Sequence, residues 1–160
     1  MKYGRLSKEQ FEELHKEFAV FLATQGIDSQ KWNLIKSNDP KKTDHYLDTF
    51  SDVVWDRVLQ NAEYVEHMTP QQLFLFKVSE REAQLISVKV ENKSIDITTA
   101  DGYRWLQEHL MDDQVILFTS KKAYQNSKNQ EVFSFLQKGA VLTKGELFRY
   151  FEKMLQGTNH

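Results

Sequence analysis

The sequence contains no cysteine, and its six glycines occur singly. Without cysteine the chain cannot form disulfides, thiolate metal sites or a cysteine nucleophile. Because small secreted domains often depend on disulfides, this absence favours a reducing compartment, and we expect the protein in the cytoplasm. Scattered glycines provide neither a Walker loop nor a G-x-G-x-x-G turn, so phosphate binding by a glycine-rich loop is not expected.

The sequence also lacks long apolar runs and an excess of charge of one sign. No run approaches the roughly 20 residues that a membrane span needs, and the opening MKYGRLSKEQ has no apolar stretch of the signal-peptide kind. We therefore expect a soluble protein without a membrane segment. With 21 basic and 23 acidic residues, the chain has no basic excess of the kind that nucleic-acid-binding proteins carry, so a nucleic-acid partner is not expected.

Helix signals are clearest in the first third of the chain. Ser7 and Gln10 have the spacing of a capping box, and Leu6 and Phe11 have that of a hydrophobic staple. Gly26 supplies a left-handed stop. Apolar residues at helical spacing complete the pattern, which predicts helices at 8–24, 29–37 and 40–60.

The apolar pattern changes after residue 62. Branched and aromatic runs predict strands at 63–68, 73–80, 83–91 and 114–119, and helical spacing returns at 101–110, at 129–138 and from the capping pair Thr143–Glu146 to Leu155. The order of elements predicts an α+β fold, with a three- to four-stranded, mainly antiparallel sheet packed against five to six helices. We expect residues 1–160 to form a single domain, helical over 7–61 and mixed over 62–156.

An acidic row is the main candidate site. On a helix over 40–60, the side chains of His45, Asp48, Asp52 and Asp56 lie along one face, nearly opposite the apolar stripe. The ordinary interpretation is the solvated side of a surface helix. However, aspartates four residues apart repel each other by roughly 0.2–0.5 kcal/mol per pair. That cost can be offset by a lysine or arginine from another element, by a basic partner or by a hard cation such as Mg²⁺ or Ca²⁺.

A cation site would need further oxygen or nitrogen ligands, because one helix face seldom supplies a complete shell. The nearest candidates in sequence are Glu63, Glu66 and His67 in the segment EYVEH. His67 follows Glu66 directly, so a carboxylate could orient its ring for general-base chemistry. A structural role for His67 is the more ordinary interpretation.

Two further features bear on binding. Trp55 lies at the edge of the polar side of the predicted third helix, where exposure would indicate a partner surface and burial a helix covered on two sides. Lys121, Lys122, Tyr124 and Lys128 fall in a predicted polar loop over 120–130. Such a mixture can bind single-stranded nucleic acid, but a solvated loop is the simpler interpretation.

Three segments of the chain carry a resemblance: MKYGRLSKEQFEELHKEFAVFLATQGID at the start, FSDVVWDRVL in the third predicted helix, and GAVLTKGELFRYFEKML near the end. They resemble a family of small bacterial proteins, a domain of unknown function, over nearly the whole chain. The resemblance implies a bacterial protein that stands alone as one domain. It implies no catalytic residues.

Neither an HExxH nor a G-x-S-x-G motif occurs, and no catalytic residue and no cofactor are predicted. The first hypothesis is therefore a non-enzymatic interaction protein that binds a protein partner or a second copy of itself. The alternative is a hydrolase or transferase that depends on a hard divalent cation held by His45, Asp48, Asp52 and Asp56.

Overall fold

The computed structural model describes residues 2–157, so the last residues of the chain, up to His160, lie outside the described residues. The contacts divide the chain into two compact units, one ending at Val58 and the other beginning at Leu59. The single-domain organisation stays a prediction. No helix among the described residues is both long enough and apolar enough to cross a membrane.

The first unit is helical. It contains α1 (Lys8–Glu13), α2 (His15–Thr24), α3 (Ser29–Asn38) and most of α4 (Pro40–Gln60). The capping box of Ser7 with Gln10 is confirmed, and Gly26 has the predicted positive φ of 74°. The prediction of one continuous helix over 8–24 is wrong, because Leu14 leaves helical geometry at φ −101° and ψ 22° and separates α1 from α2.

Aromatic side chains form the centre of the first unit. The Phe18 ring lies 5.1 Å from that of Phe50 and 5.3 Å from that of Trp32, measured between centroids. Phe11 and Phe21 complete the cluster, with centroids 6.0 and 5.5 Å from that of Phe50. Such edge and tilted arrangements stabilise a core by roughly 0.5–1.5 kcal/mol per pair beyond the area that they bury.

The second unit contains a five-stranded sheet in the order β4-β3-β2-β1-β5, with every neighbouring pair antiparallel. The strands are β1 (Tyr64–Thr69), β2 (Gln72–Val78), β3 (Glu82–Val90), β4 (Val115–Ala123) and β5 (Val141–Thr143). The α+β class and the mainly antiparallel sheet are confirmed, and the count of three to four strands is too low. The strand β5 has only three residues, too few for a period-two pattern to be recognised.

Three helices accompany the sheet: α5 (Ala100–Glu108), α6 (Lys128–Gln137) and α7 (Glu146–Gly157). The described residues thus form seven helices, where five to six were predicted, because the first predicted helix is two helices. Buried side chains of the sheet pack against α5 and α7 in one core that includes Leu73, Leu75, Ile86, Val88, Leu106, Phe148 and Phe151.

Two predicted boundaries in this unit are wrong. The strand β4 continues to Ala123, so Lys121 and Lys122 belong to a strand and not to a loop. Thr143 ends β5 instead of capping α7, and its hydroxyl accepts a hydrogen bond from the N–H of Gly145 at 3.1 Å. Both errors arise because polar side chains at the exposed edges of a sheet resemble loop or cap residues in sequence.

Candidate functional sites

The acidic row of α4 contacts the chain's own N-terminal segment, residues 2–6. The carboxylate of Asp52 accepts the backbone N–H of Lys2 at 3.0 and 2.9 Å and that of Tyr3 at 3.2 Å. Asp56 accepts hydrogen bonds from the Lys2 ammonium at 3.2 Å and the Tyr3 hydroxyl at 2.5 Å. Two carboxylates of the row are therefore occupied by donors of this segment.

Arg5 of the same segment contacts the acidic side of α4 one helical turn earlier. Its Nε donates to Asp48 at 2.7 Å, and its terminal nitrogen lies 3.3 Å from Asp44. The hydrogen bond from Arg5 lowers the pKa of the Asp48 carboxyl. Since these side chains are partly exposed, each ion pair contributes only modestly, roughly 0.2–1 kcal/mol.

The N-terminal segment is also anchored by a buried contact. Leu6 is buried, and its backbone N–H donates to the hydroxyl of Ser51 at 3.0 Å. The hydroxyl of Ser51, a fully buried residue, in turn donates to the carbonyl of Leu47 at 2.7 Å. A buried N–H needs such a partner, so Ser51 fixes the position from which Lys2, Tyr3 and Arg5 reach the aspartates.

The four predicted metal ligands on α4 do not have the same surroundings. Asp48, Asp52 and Asp56 hold the N-terminal segment, whereas His45 is exposed and its ring meets that of Tyr46 edge-on at 5.4 Å. Within residues 2–157, no group of three or more histidine, aspartate or glutamate side chains is arranged to hold a metal ion. Cation binding by the acidic row stays a prediction, and the N-terminal segment would compete with the ion.

Glu66 and His67 point to opposite faces of β1, because successive side chains of a strand alternate. The His67 ring stacks on Phe74 with centroids 6.1 Å apart, and its Cε1 atom lies so close to Gly139 that a Cβ there would be 3.1 Å away. Glu66 therefore does not orient His67, and His67 has the surroundings of a packed side chain.

Glu66 instead lines a pocket of about 460 Å³ together with Tyr103, Thr143, Lys144, Glu146 and Leu147. Burial raises the pKa of the Glu66 carboxyl, and a hydrogen bond with Thr143 acts in the opposite direction. Burial also raises the pKa of the Tyr103 hydroxyl, and the neighbouring Glu66 carboxylate adds to that effect. No local pattern in the sequence indicates Tyr103 and Thr143 as neighbours of Glu66, because only the pairing of β1 with β5 and the packing of α5 bring them together.

An apolar groove runs along the first unit between α2 and α4, with a volume of about 610 Å³. Phe21, Phe50 and Val54 are among its lining residues. Val20 and Val53, which are 65% and 45% exposed, also line it. Trp55 is half-buried and does not line this groove, and the exposed side chains that α4 contributes to its apolar lining are those of Val53 and Val58.

The second unit has its own exposed apolar side chains, on the edge strand β4. Ile116 and Phe118 are 43% and 58% exposed, and Lys121 and Lys122 follow them on the same strand. Lys128 lies in α6, where its ammonium donates to the carbonyl of Gln60 at 2.8 Å. The basic cluster predicted for a loop is thus divided between a strand and a helix.

Comparison with known proteins bears on the resemblance seen in the sequence. No curated protein and no solved structure matches the chain. Residues 1–156 match a family described as a family of unknown function, DUF6495. Because the match covers nearly all of the sequence, the resemblance to an uncharacterised domain is confirmed, and the chain belongs to the family of unknown function DUF6495.

Proposed function

We propose that the protein is a non-enzymatic interaction protein whose α2–α4 groove binds the apolar face of an amphipathic helix from a protein partner. The observation that carries this proposal is the exposure of Val20, Val53 and Val58 around one continuous apolar groove. Single exposed apolar side chains are normal, but a contiguous apolar surface rimmed by charge is typical of an interaction site.

The dimensions of the groove favour a helix as its occupant. Its walls are helices, and the ten residues of α2 span about 15 Å, enough for roughly three turns of a bound helix. Apolar residues of such a helix at i, i+3, i+4 and i+7 would fill the space above Phe21 and Phe50. Covering each exposed valine would contribute on the order of 1 kcal/mol to binding.

The charges at the rim indicate the polar flank of the partner. Lys16, Glu17 and Arg57 border the apolar lining, so two of the three rim charges are positive. A partner helix with acidic residues beside its apolar stripe would therefore match the rim better than a basic one. Complementary rim charges mainly raise the association rate and select the partner.

The proposal can be tested by site-specific cross-linking. With a photo-reactive amino acid in place of Val20, we expect cross-links to one protein, confined to a segment with apolar residues at i, i+3, i+4 and i+7. A synthetic peptide of that segment should then bind the unmodified chain. We expect Val53→Asp to weaken this binding at least tenfold, about 1.4 kcal/mol, because a carboxylate would replace an apolar contact.

Leu34→Asp is the matched control, because Leu34 is 62% exposed on α3 but does not line the groove. It should leave the affinity for the peptide unchanged, as measured by fluorescence anisotropy. Equal losses from Val53→Asp and Leu34→Asp would contradict the groove as the binding site. Cross-links between two copies of the chain, with a light-scattering mass of two chains, would identify a homo-oligomer contact in place of a partner site.

We further propose that the protein acts in the cytoplasm of a bacterium. The absence of cysteine supports a cytoplasmic location, and the resemblance to small bacterial proteins supports a bacterial origin. The alternative hypothesis, a hydrolase or transferase with a hard divalent cation on α4, requires the ion to displace the contacts of Lys2, Tyr3 and Arg5. The occupied carboxylates therefore favour the interaction protein.

A further inference from the structure

We propose that the outer edge of β4 is a second interaction surface, which takes an extended acidic segment of a protein partner as a sixth strand of the sheet. This inference goes beyond the helix-binding groove, because it depends on backbone groups and side chains of the second unit alone. It is carried by the outer edge of β4, with which no strand of residues 2–157 pairs, and by the order of the side chains along that edge.

The direction of the backbone groups follows from the register of β3 and β4. The bonds from Tyr124 N–H to the Arg81 carbonyl at 3.1 Å and from Glu91 N–H to the Gln114 carbonyl at 2.7 Å continue the ladder at its two ends. Even-numbered residues of β4 therefore bond to β3, and odd-numbered residues direct their N–H and C=O groups outward.

The outer edge of β4 therefore has three pairs of outward N–H and C=O groups, which belong to the alternate residues Leu117, Thr119 and Lys121. Since β4 is the last strand of the sheet, no strand of the described chain pairs with them, and no hydrogen bond from residues 2–157 reaches these groups. An unpaired row of this length is a template for an added strand, as in other cases of recognition by sheet extension.

The side chains of β4 determine which strand would fit. Ile116 and Phe118 are exposed on one face, and Lys121 and Lys122 place a positive charge on each face at the far end of the strand. A complementary strand therefore carries apolar or branched residues beside Ile116 and Phe118 and carboxylates beside the two lysines. Cross-strand pairs of this kind stabilise a sheet, whereas like charges directly opposite destabilise it.

A second copy of the chain fits this edge less well. If two β4 strands paired antiparallel about Thr119, Lys121 would lie beside Leu117 and Lys122 beside Ile116 of the other copy. Neither lysine would then meet a carboxylate. Lysines on an edge strand are a known means of preventing association between identical edges, so we infer an acidic partner in preference to self-pairing.

The probe is a labelled nine-residue peptide designed to pair antiparallel with β4. It carries valine or isoleucine opposite Ile116 and Phe118 and glutamate opposite Lys121 and Lys122. We expect it to bind with an affinity that falls as salt is raised, and a matched peptide with lysine in place of glutamate to bind at least about tenfold more weakly. The double variant Lys121→Glu, Lys122→Glu should reverse this preference.

Thr119→Pro tests the backbone bonds directly. Proline removes the outward N–H of residue 119 but none of the bonds to β3, so the sheet should persist while binding of the acidic peptide falls at least about tenfold. Thr119→Ser, which keeps the N–H, is the control. A peptide with N-methyl groups on its bonding edge gives the same test with the protein unchanged, in case Thr119→Pro disturbs the fold.

Equal binding of the acidic and lysine peptides would overturn the proposal, as would full binding of the N-methylated peptide. A dimer of the unmodified chain that is lost on Thr119→Pro would also overturn it, because the occupant of the edge would then be a second copy. None of these results depends on the groove of the first unit, so failure of this inference and failure of the proposed function are distinguishable.

Discussion

Replacing Gly102 with alanine is expected to lower the free energy of unfolding of the second unit by about 3 kcal/mol. Helix propensity alone predicts the opposite sign, because alanine is favoured over glycine inside a helix by about 1 kcal/mol. However, Gly102 is buried in the first turn of α5, and a Cβ at this position would overlap the backbone carbonyl of Asp96.

That carbonyl cannot move aside without breaking the cap of α5. It accepts the Thr99 N–H at 3.1 Å and the Thr99 hydroxyl at 2.7 Å, and the same hydroxyl accepts the N–H of Gly102 at 3.0 Å. The overlap must therefore be relieved by displacing α5, whose Leu106 lies in the core. Loss of that packing is the physical reason for the large expected effect.

Urea unfolding followed by circular dichroism measures the change. Gly157→Ala is the control, because Gly157 is also helical and a Cβ there meets no atom of residues 2–157 within 4 Å. This control should leave the stability unchanged or raise it slightly. If Gly102→Ala were as stable as Gly157→Ala, the close approach of α5 to Asp96 would be wrong.

The second large effect is expected from Ser51→Ala, at about 2 kcal/mol of lost stability in the first unit. The substitution leaves the buried N–H of Leu6 without an acceptor and removes the bond to the Leu47 carbonyl. Because residues 2–5 reach the aspartates of α4 from this anchor, we also expect faster hydrogen exchange at the backbone N–H groups of Lys2, Tyr3 and Leu6.

Thr49→Ala provides a matched control on the same helix. The Thr49 hydroxyl donates to the carbonyl of His45 at 2.7 Å, the same bond to the fourth preceding residue that Ser51 makes, but it receives no bond from the N-terminal segment. Its removal should change stability by no more than about 0.5 kcal/mol. Similar losses for Thr49→Ala and Ser51→Ala would contradict the anchoring role of Ser51.

Local patterns in the sequence predicted the local structure well. The capping box of Ser7 with Gln10 and the left-handed Gly26 are both present, because each depends on residues a few positions apart. The division between α1 and α2 was missed, because the apolar residues keep their helical spacing through Leu14 even though Leu14 itself is not helical. The short β5 was missed because its formation depends on pairing with β1.

The candidate sites depend on contacts between distant residues, and this limited their prediction. Repulsion within the aspartate row indicated that a cationic group could stabilise it, and Arg5 was available in the sequence. Nothing local specified that Arg5 would meet Asp48, or that backbone N–H groups would meet Asp52. Similarly, the exposed edge of β4 follows from the strand order, which the alternation of residues along a single strand does not determine.

The aspartates of α4 bind the N-terminal segment of the same chain, and we infer that they bind it in preference to a metal ion. Thermal melts with Mg²⁺, Mn²⁺ or Ca²⁺, on the unmodified chain and on the double variant Asp48→Asn, Asp52→Asn, test it most directly. We predict that no ion raises the Tm of the unmodified chain and that the variant melts at a lower temperature whether or not an ion is present. A Tm that rises with one of these ions in the unmodified chain, but not in the variant, would contradict the claim, because an ion that binds only the folded state stabilises it.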